Sequence, residues 1–265
     1  MGLGFSYGFP MKRELLACAL REIRSNGPMS DKQLAEALGI GLKKAIGLSA
    51  WLLYLGLRDM KMGQLTPLGE LVGQRDPMLE HPQTELTLHY QLSSNPRATF
   101  WHWATSTFLP YVGSFNRPQL IEAYLRDTGL QTNRKNVERD AKVFLVAYLP
   151  GGCLAVSGYL SEVSKGVLVT GRCPVHPLTM AYALYDQRER QATCSTTISI
   201  RALLVEPALP GRVFKLNREA LEELLRALQV QGIVDVWKTA DLDNIAYTFD
   251  GRAIELLERY YQRGE

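Results

Sequence analysis

Ser30–Val72 reads SDKQLAEALGIGLKKAIGLSAWLLYLGLRDMKMGQLTPLGELV, and its punctuation decides the expected fold. Ser30 followed by Gln33 has capping-box spacing, so a helix starts there, with Leu34, Ala35 and Leu38 on its apolar side. Gly39 and Gly41 bracket Ile40 in a turn with backbone freedom on both sides of one apolar anchor. The next helix, roughly Leu42–Leu55, repeats apolar residues at Leu42, Ile46, Ala50 and Leu53, which predicts that this stripe faces the core. Lys43, Lys44, Gly47 and Tyr54 then fall on the opposite face. Met60–Gln64 reads as a tight turn between two short strands, and Thr66-Pro67 as the cap and first residue of a further helix. Leu15, Leu16, Ala19, Leu20 and Ile23 supply a helix upstream. Three helices and a wing make a winged helix-turn-helix, in which the second helix of the motif enters a DNA groove.

Charge is distributed in keeping with that expectation. The chain has 265 residues and a net charge of +3, but residues 1–75 hold ten Lys/Arg against six Asp/Glu. Residues 76–150 balance seven against seven, and residues 151–265 carry thirteen against fourteen. A basic excess confined to one section is what a phosphate-facing module needs. No run of eighteen apolar residues interrupts the sequence, so a membrane span is not expected, and no charged-then-apolar leader opens it. Four scattered cysteines suit free thiols in a reducing cytoplasm. Cys173 and His176 are the one ligand-spaced pair. Cys153 and Cys194 would complete a zinc set, but structural zinc uses two close pairs, so buried thiols are the expectation.

Prolines at 77 and 82 close the first section. Tyr90, Phe100, Trp101, Trp103 and Phe108 are then dense in helical sequence. Such rings can hold single-stranded bases, yet in a section of zero net charge they are expected in the core, as are His89 and His102. Asn116-Arg-Pro-Gln119 opens a helix ending near Gly129, and Thr132 or Asn133 caps another. The latter has Val137, Ala141, Phe144, Leu145 and Tyr148 on its apolar face and Lys135, Arg139 and Lys142 along another side. This is a second helix-turn-helix candidate. Pro150-Gly-Gly152 marks the next boundary. Beyond it, Ile198–Val205 reads equally as helix or strand, and Asn217 caps a helix with Leu221, Leu224, Leu225 and Leu228 inward. Ile233–Lys238 and Asn244–Phe249 alternate as strands, and Ala253–Tyr261 is a closing helix. This acidic end suits a docking or homodimer surface better than DNA.

The chain is therefore expected to be α+β and predominantly helical. Residues 1–76 form a winged-helix domain, 77–150 a helical domain, and 151–265 a wing-like mixed α/β domain. Lys43, Lys44, Lys61, Lys135, Arg139 and Lys142 are the candidate contacts to double-stranded DNA. No phosphate-binding loop, nucleophile elbow or zinc-protease motif is present. Asp235 with Lys238, and Asp241 with Asp243, are the nearest approach to a nuclease core, and neither has its spacing. No catalytic residue, cofactor or metal is assigned.

Six segments also resemble, in order, a bacterial family long catalogued as a domain of unknown function. They are Ala37–Lys44 (ALGIGLKK), Leu65–Leu71 (LTPLGEL), Leu88–Pro96 (LHYQLSSNP), Arg139–Leu145 (RDAKVFL), Pro210–Leu216 (PGRVFKL) and Leu256–Tyr261 (LLERYY). The family includes the SspB-type nicking protein of DNA phosphorothioation, a sulfur-for-oxygen backbone modification linked to phage defence. It is encoded beside cysteine desulfurases and PAPS-reductase-like pyrophosphatases. The resemblance implies a cytoplasmic DNA-binding component of such a system, partnered with its sulfur-transfer enzymes and ATPase, with a divalent metal if it nicks DNA. Members begin Phe-x-x-His-Glu-Thr-Phe-Pro, whereas this chain has Phe5-Ser-Tyr-Gly-Phe-Pro10, so chemistry resting on the His-Glu pair does not carry over. The alternatives are a non-enzymatic winged-helix transcription regulator and an adaptor that docks a sulfur-transfer enzyme.

Overall fold

The computed structural model describes residues 3–129, 133–191, 195–239 and 242–263. It is mostly helical, with two three-stranded antiparallel sheets among those residues.

Helices α1 (Arg13–Asn26), α2 (Asp31–Ala37) and α3 (Leu42–Tyr54) come first. Ser30 starts α2 through a complete capping box: its hydroxyl accepts the Gln33 amide, and its own amide donates to Gln33 Oε1 at 2.8 Å. The expected pair of strands after α3 is reduced to one antiparallel bridge, Arg58 to Leu65. The turn between them is held by side chains instead. Asp59 Oδ1 accepts the Met62 and Gly63 amides, and the buried Arg58 guanidinium donates to Gly63 O, Met29 O and Ser49 Oγ. Thr66 caps α4 (Pro67–Arg75) by accepting the Gly69 amide at 3.0 Å.

Around α3 the expected face is overturned. Ala45, Leu48, Trp51 and Leu52 are buried against the other helices, and Gly47 and Tyr54 are buried on a further side. Leu42 is exposed, while Ile46, Ala50 and Leu53 are only half-buried and line an open groove beside the Arg58–Leu65 turn. The helix is apolar on nearly every side, so periodicity alone does not choose a face. The residues that settle the choice lie elsewhere, in 5–9 and beyond residue 98.

Helix α5 (Pro82–Ser94) is the central rod, buried on every side from Gln83 to Ser94. Its polar side chains are accordingly paired. His89 Nε2 donates to Val213 O at 2.9 Å and Nδ1 accepts from the Tyr148 hydroxyl at 2.8 Å, an assignment set by the carbonyl, which can only accept. Helix α6 (Thr99–Trp103) widens into one π-helical turn, Ala104–Phe108. Phe100, Trp101 and Trp103 are in the core as expected.

Strand β1 (Ser114–Phe115) leads to α7 (Arg117–Thr128) and α8 (Arg134–Tyr148). Asn116 and Gln119 form a second capping box on α7, and Asn133 caps α8 by accepting the Lys135 amide. Thr132, the other cap considered, lies outside the described residues. Val137, Ala141, Phe144, Leu145 and Tyr148 are buried as their spacing predicts. Strands β2 (Leu160–Ser164) and β3 (Val167–Thr170) complete the first sheet, in the order β1-β3-β2.

Helix α9 (Pro177–Gln191) precedes β4 (Thr197–Ser199) and α10 (Ile200–Val205), so the ambiguous stretch is strand and then helix, divided where Ser199 caps the Ala202 amide. The short α11 (Pro210–Val213) and α12 (Arg218–Val230) follow. The β5 (Val234–Thr239) and β6 (Leu242–Tyr247) hairpin builds the second sheet, ordered β4-β6-β5, and α13 (Ala253–Arg263) packs along α9 and touches α4. One continuous buried core runs from Phe5 to Tyr260.

Candidate nucleic-acid interface

Residues 4–9 form a turn that plugs into the gap between α3 and α8. Phe5 is its root, with its ring centroid 4.8 Å from Trp51, 4.3 Å from Tyr54 and 5.9 Å from Trp101. Trp51 Nε1 donates to Phe9 O at 3.0 Å, and the Gly4 amide donates to Asp140 Oδ2 on α8 at 2.7 Å. Within the turn, Tyr7 N donates to Gly4 O and Phe9 N to Ser6 O, both at 2.9 Å. Gly47 makes the close approach possible: a Cβ there would lie 2.9 Å from Ser6 O and 3.0 Å from the Phe9 ring. A larger residue at 47 would push the turn off α3.

This plug unites two basic elements that are far apart in sequence. Lys43, at the start of α3, places its ammonium 6.0 Å from the Tyr7 ring centroid. From the other side the aliphatic stem of Arg139 packs against Gly8, and its guanidinium donates to Asn136 Oδ1 at 2.6 Å. Lys43 and Arg139 therefore flank the same six-residue turn. Lys135 and Lys142 are exposed on α8 with Arg139, whereas Lys44 is half-buried. Lys61 is exposed at the tip of the Arg58–Leu65 turn and lines the groove of about 550 Å³ with Ile46, Ala50 and Leu53. The groove lies on the side of α3 that Ile46, Ala50 and Leu53 occupy.

Two residues join this surface without having been expected there. Tyr7 is 45% exposed at the tip of the turn. Exposed Arg97 is close enough for its charge to act on the Tyr54 hydroxyl, whose pKa burial raises and Arg97 lowers. The spacing of glycines around Tyr7 signals a turn, but only the tertiary fold shows which helices it meets. Asp140 is buried beneath, and loss of solvation pushes its carboxyl up to about 6 against the opposing Gly4 bond and the Arg139 charge.

The profile of a family described as "Protein of unknown function (DUF4007)" matches residues 7–153 and 167–261. The chain belongs to that family. Its fold is similar to two solved structures, described as "Magnesium ion-bound SspB crystal structure" and "SspB crystal structure". Both align with a TM-score of 0.83 over 98% of this chain and 88% of theirs, at 18% and 19% identity respectively. At that identity the likeness establishes a shared fold. A comparison with curated proteins found no match.

Among the described residues, the nuclease candidates of the sequence are not gathered into a metal site. Asp235 accepts hydrogen bonds from Gln229 and from Trp237 Nε1, and Asp243 is ion-paired with Arg218. Lys238 sits opposite Asp243 in the β5–β6 register, and Asp241 lies outside the described residues. Among the described residues no three His, Cys, Asp or Glu side chains come together at metal spacing. Cys153 and Cys173 are buried, and burial pushes both thiols up, Cys153 to about 11. His176 Nδ1 accepts the Leu178 amide, and Cys194 is outside the described residues. No described helix is long and apolar enough to cross a membrane.

Proposed function

We propose that this chain is a DNA-binding component of a bacterial DNA phosphorothioation system. The observation that supports this most directly is the convergence of Lys43 and Arg139 on one anchored turn, with Lys135 and Lys142 continuing along α8. Cations spaced over two helices neutralise successive phosphates without reading sequence, so affinity falls steeply with salt. The likeness to SspB supports the choice of pathway. The first four helices and the short turn serve as the winged helix-turn-helix of this reading, with Lys44 and Lys61 as flanking contacts and α7–α8 as the second helix-turn-helix.

Strand nicking would go beyond DNA binding, and one of the two similar solved structures is described as magnesium-bound. Among the described residues, Asp235 and Asp243 are engaged by Gln229, Trp237 and Arg218, and no third carboxylate joins either to make a divalent-ion site. Incubation of supercoiled plasmid with Mg2+ or Mn2+ tests nicking directly, through accumulation of open circles.

DNA binding is tested by a salt series with labelled duplex. The double variant Lys43→Ala, Lys44→Ala is expected to flatten the log–log slope by about one unit per lysine. An unchanged slope would remove α3 from the interface. A second reading, an adaptor that docks a sulfur-transfer enzyme, is favoured by one feature, the apolar stripe of Ile46, Ala50 and Leu53 facing the open groove. Co-purification with the pyrophosphatase, without retention on DNA, is the result that reading requires.

A further inference from the structure

Tyr7 is held in a left-handed backbone conformation, with φ of +53°. For a bulky side chain this is unfavourable and rare. Leu79, Ala208 and Lys215 share a positive φ, but Leu79 and Ala208 are buried and Lys215 is half-buried with its ammonium on Thr170 O. Tyr7 instead points its ring outward at the tip of a turn that the core fixes from both ends. Glycine would relieve the backbone there, since the turn's anchors are Phe5, Phe9 and the Gly4 amide and not the Tyr7 ring. The strain therefore accompanies the display of an aromatic face between two cations.

We infer that Tyr7 is a stacking platform for an unpaired nucleobase, so that the surface around it takes single-stranded or locally opened DNA in preference to intact duplex. This rests on the DNA-binding reading above and names the form of DNA that the site takes. The ring is 45% exposed, the Lys43 ammonium lies 6.0 Å from its centroid, Arg139 packs against the neighbouring Gly8, and Arg97 is charged and exposed near Tyr54. Base–aromatic stacking beside a cationic track is how sequence-tolerant single-strand sites work. A ring fixed on an anchored turn loses little freedom when a base docks, which favours binding through preorganisation.

The test uses the full chain, a single-stranded oligodeoxynucleotide with a fluorescent adenine analogue, and a duplex of the same sequence, compared by anisotropy and by quenching of the analogue. Tyr7→Gly is expected to keep or raise the thermal midpoint while weakening single-strand affinity about tenfold and abolishing the quenching. Its duplex affinity should change little, and Tyr7→Phe should retain stacking. Equal loss on both DNAs together with a lower midpoint would mean a structural role and overturn the inference. An unaltered Tyr7→Gly variant overturns it as well, with the DNA reading left intact. If the wild-type chain binds neither DNA, both fall together.

Discussion

The Gly4 amide donates to the Asp140 carboxylate at 2.7 Å, joining residues 136 apart in sequence, and Asp140 is almost fully buried where it does so. One bond thus ties the start of the chain to α8 and orients the turn that carries Tyr7. Asp140→Ala leaves that amide without its acceptor and is expected to cost about 1–3 kcal/mol. Urea unfolding measures the loss, and hydrogen exchange at residues 4–9 should accelerate by more than elsewhere. Uniform acceleration across the chain would show that the bond does not anchor the turn.

Asp140 also makes stability depend on pH in a direction opposite to that of a surface ion pair. Burial raises its folded pKa to about 6, above the ordinary carboxylate value, so the contribution is present at low pH and is lost as pH rises through about 6. Glu85 behaves alike: burial, opposed by its Arg13 partner, raises it to about 7. His89 has the reverse sign, since burial lowers it to about 4 and acid destabilises the neutral ring's site below its ordinary pKa. Comparison with Asp140→Asn isolates the Asp140 contribution. The wild type should lose stability relative to that variant between about pH 4 and 7 in thermal melts. A constant difference over that window refutes the assignment.

Gly47→Ala tests the seating of the turn. Its Cβ would meet Ser6 O at 2.9 Å and the Phe9 ring at 3.0 Å, and Ser6 O is backbone that cannot swing aside. The expected cost is about 1–3 kcal/mol, with weaker DNA binding as Tyr7 moves away from Lys43. Normal binding in a destabilised variant would separate the turn from the interface.

Arg58 is the internal brace of the turn that carries Lys61. Its guanidinium spans Met29 O, Ser49 Oγ, Gly63 O and the Asp31 carboxylate, the last at 3.3 Å. Lysine has the charge but not the planar fork, so Arg58→Lys is expected to lose about 2 kcal/mol and Arg58→Ala more. Denaturation midpoints check the order. Equal midpoints for wild type and Arg58→Lys would show that charge alone suffices.

What the amino-acid sequence determined by itself was the set of helix starts and one helix face. The Ser30–Gln33 and Asn116–Gln119 boxes and the Thr66 cap on the Gly69 amide are bonds between residues three apart, so their residue types suffice to place them. The apolar face of α8 was equally plain because its other sides are charged. On α3 the same reading chose Leu42, which is exposed, and Ile46, Ala50 and Leu53, which line the groove, because Ala45, Leu48, Trp51 and Leu52 offer an equally apolar stripe. Only packing against the aromatic core and against Phe5 separates the two. The meeting of Lys43 with Arg139 across Tyr7 was likewise decided by the tertiary structure alone. It depends on the Gly4–Asp140 bond and on the clearance at Gly47, contacts between segments whose separation along the chain leaves no local pattern to read.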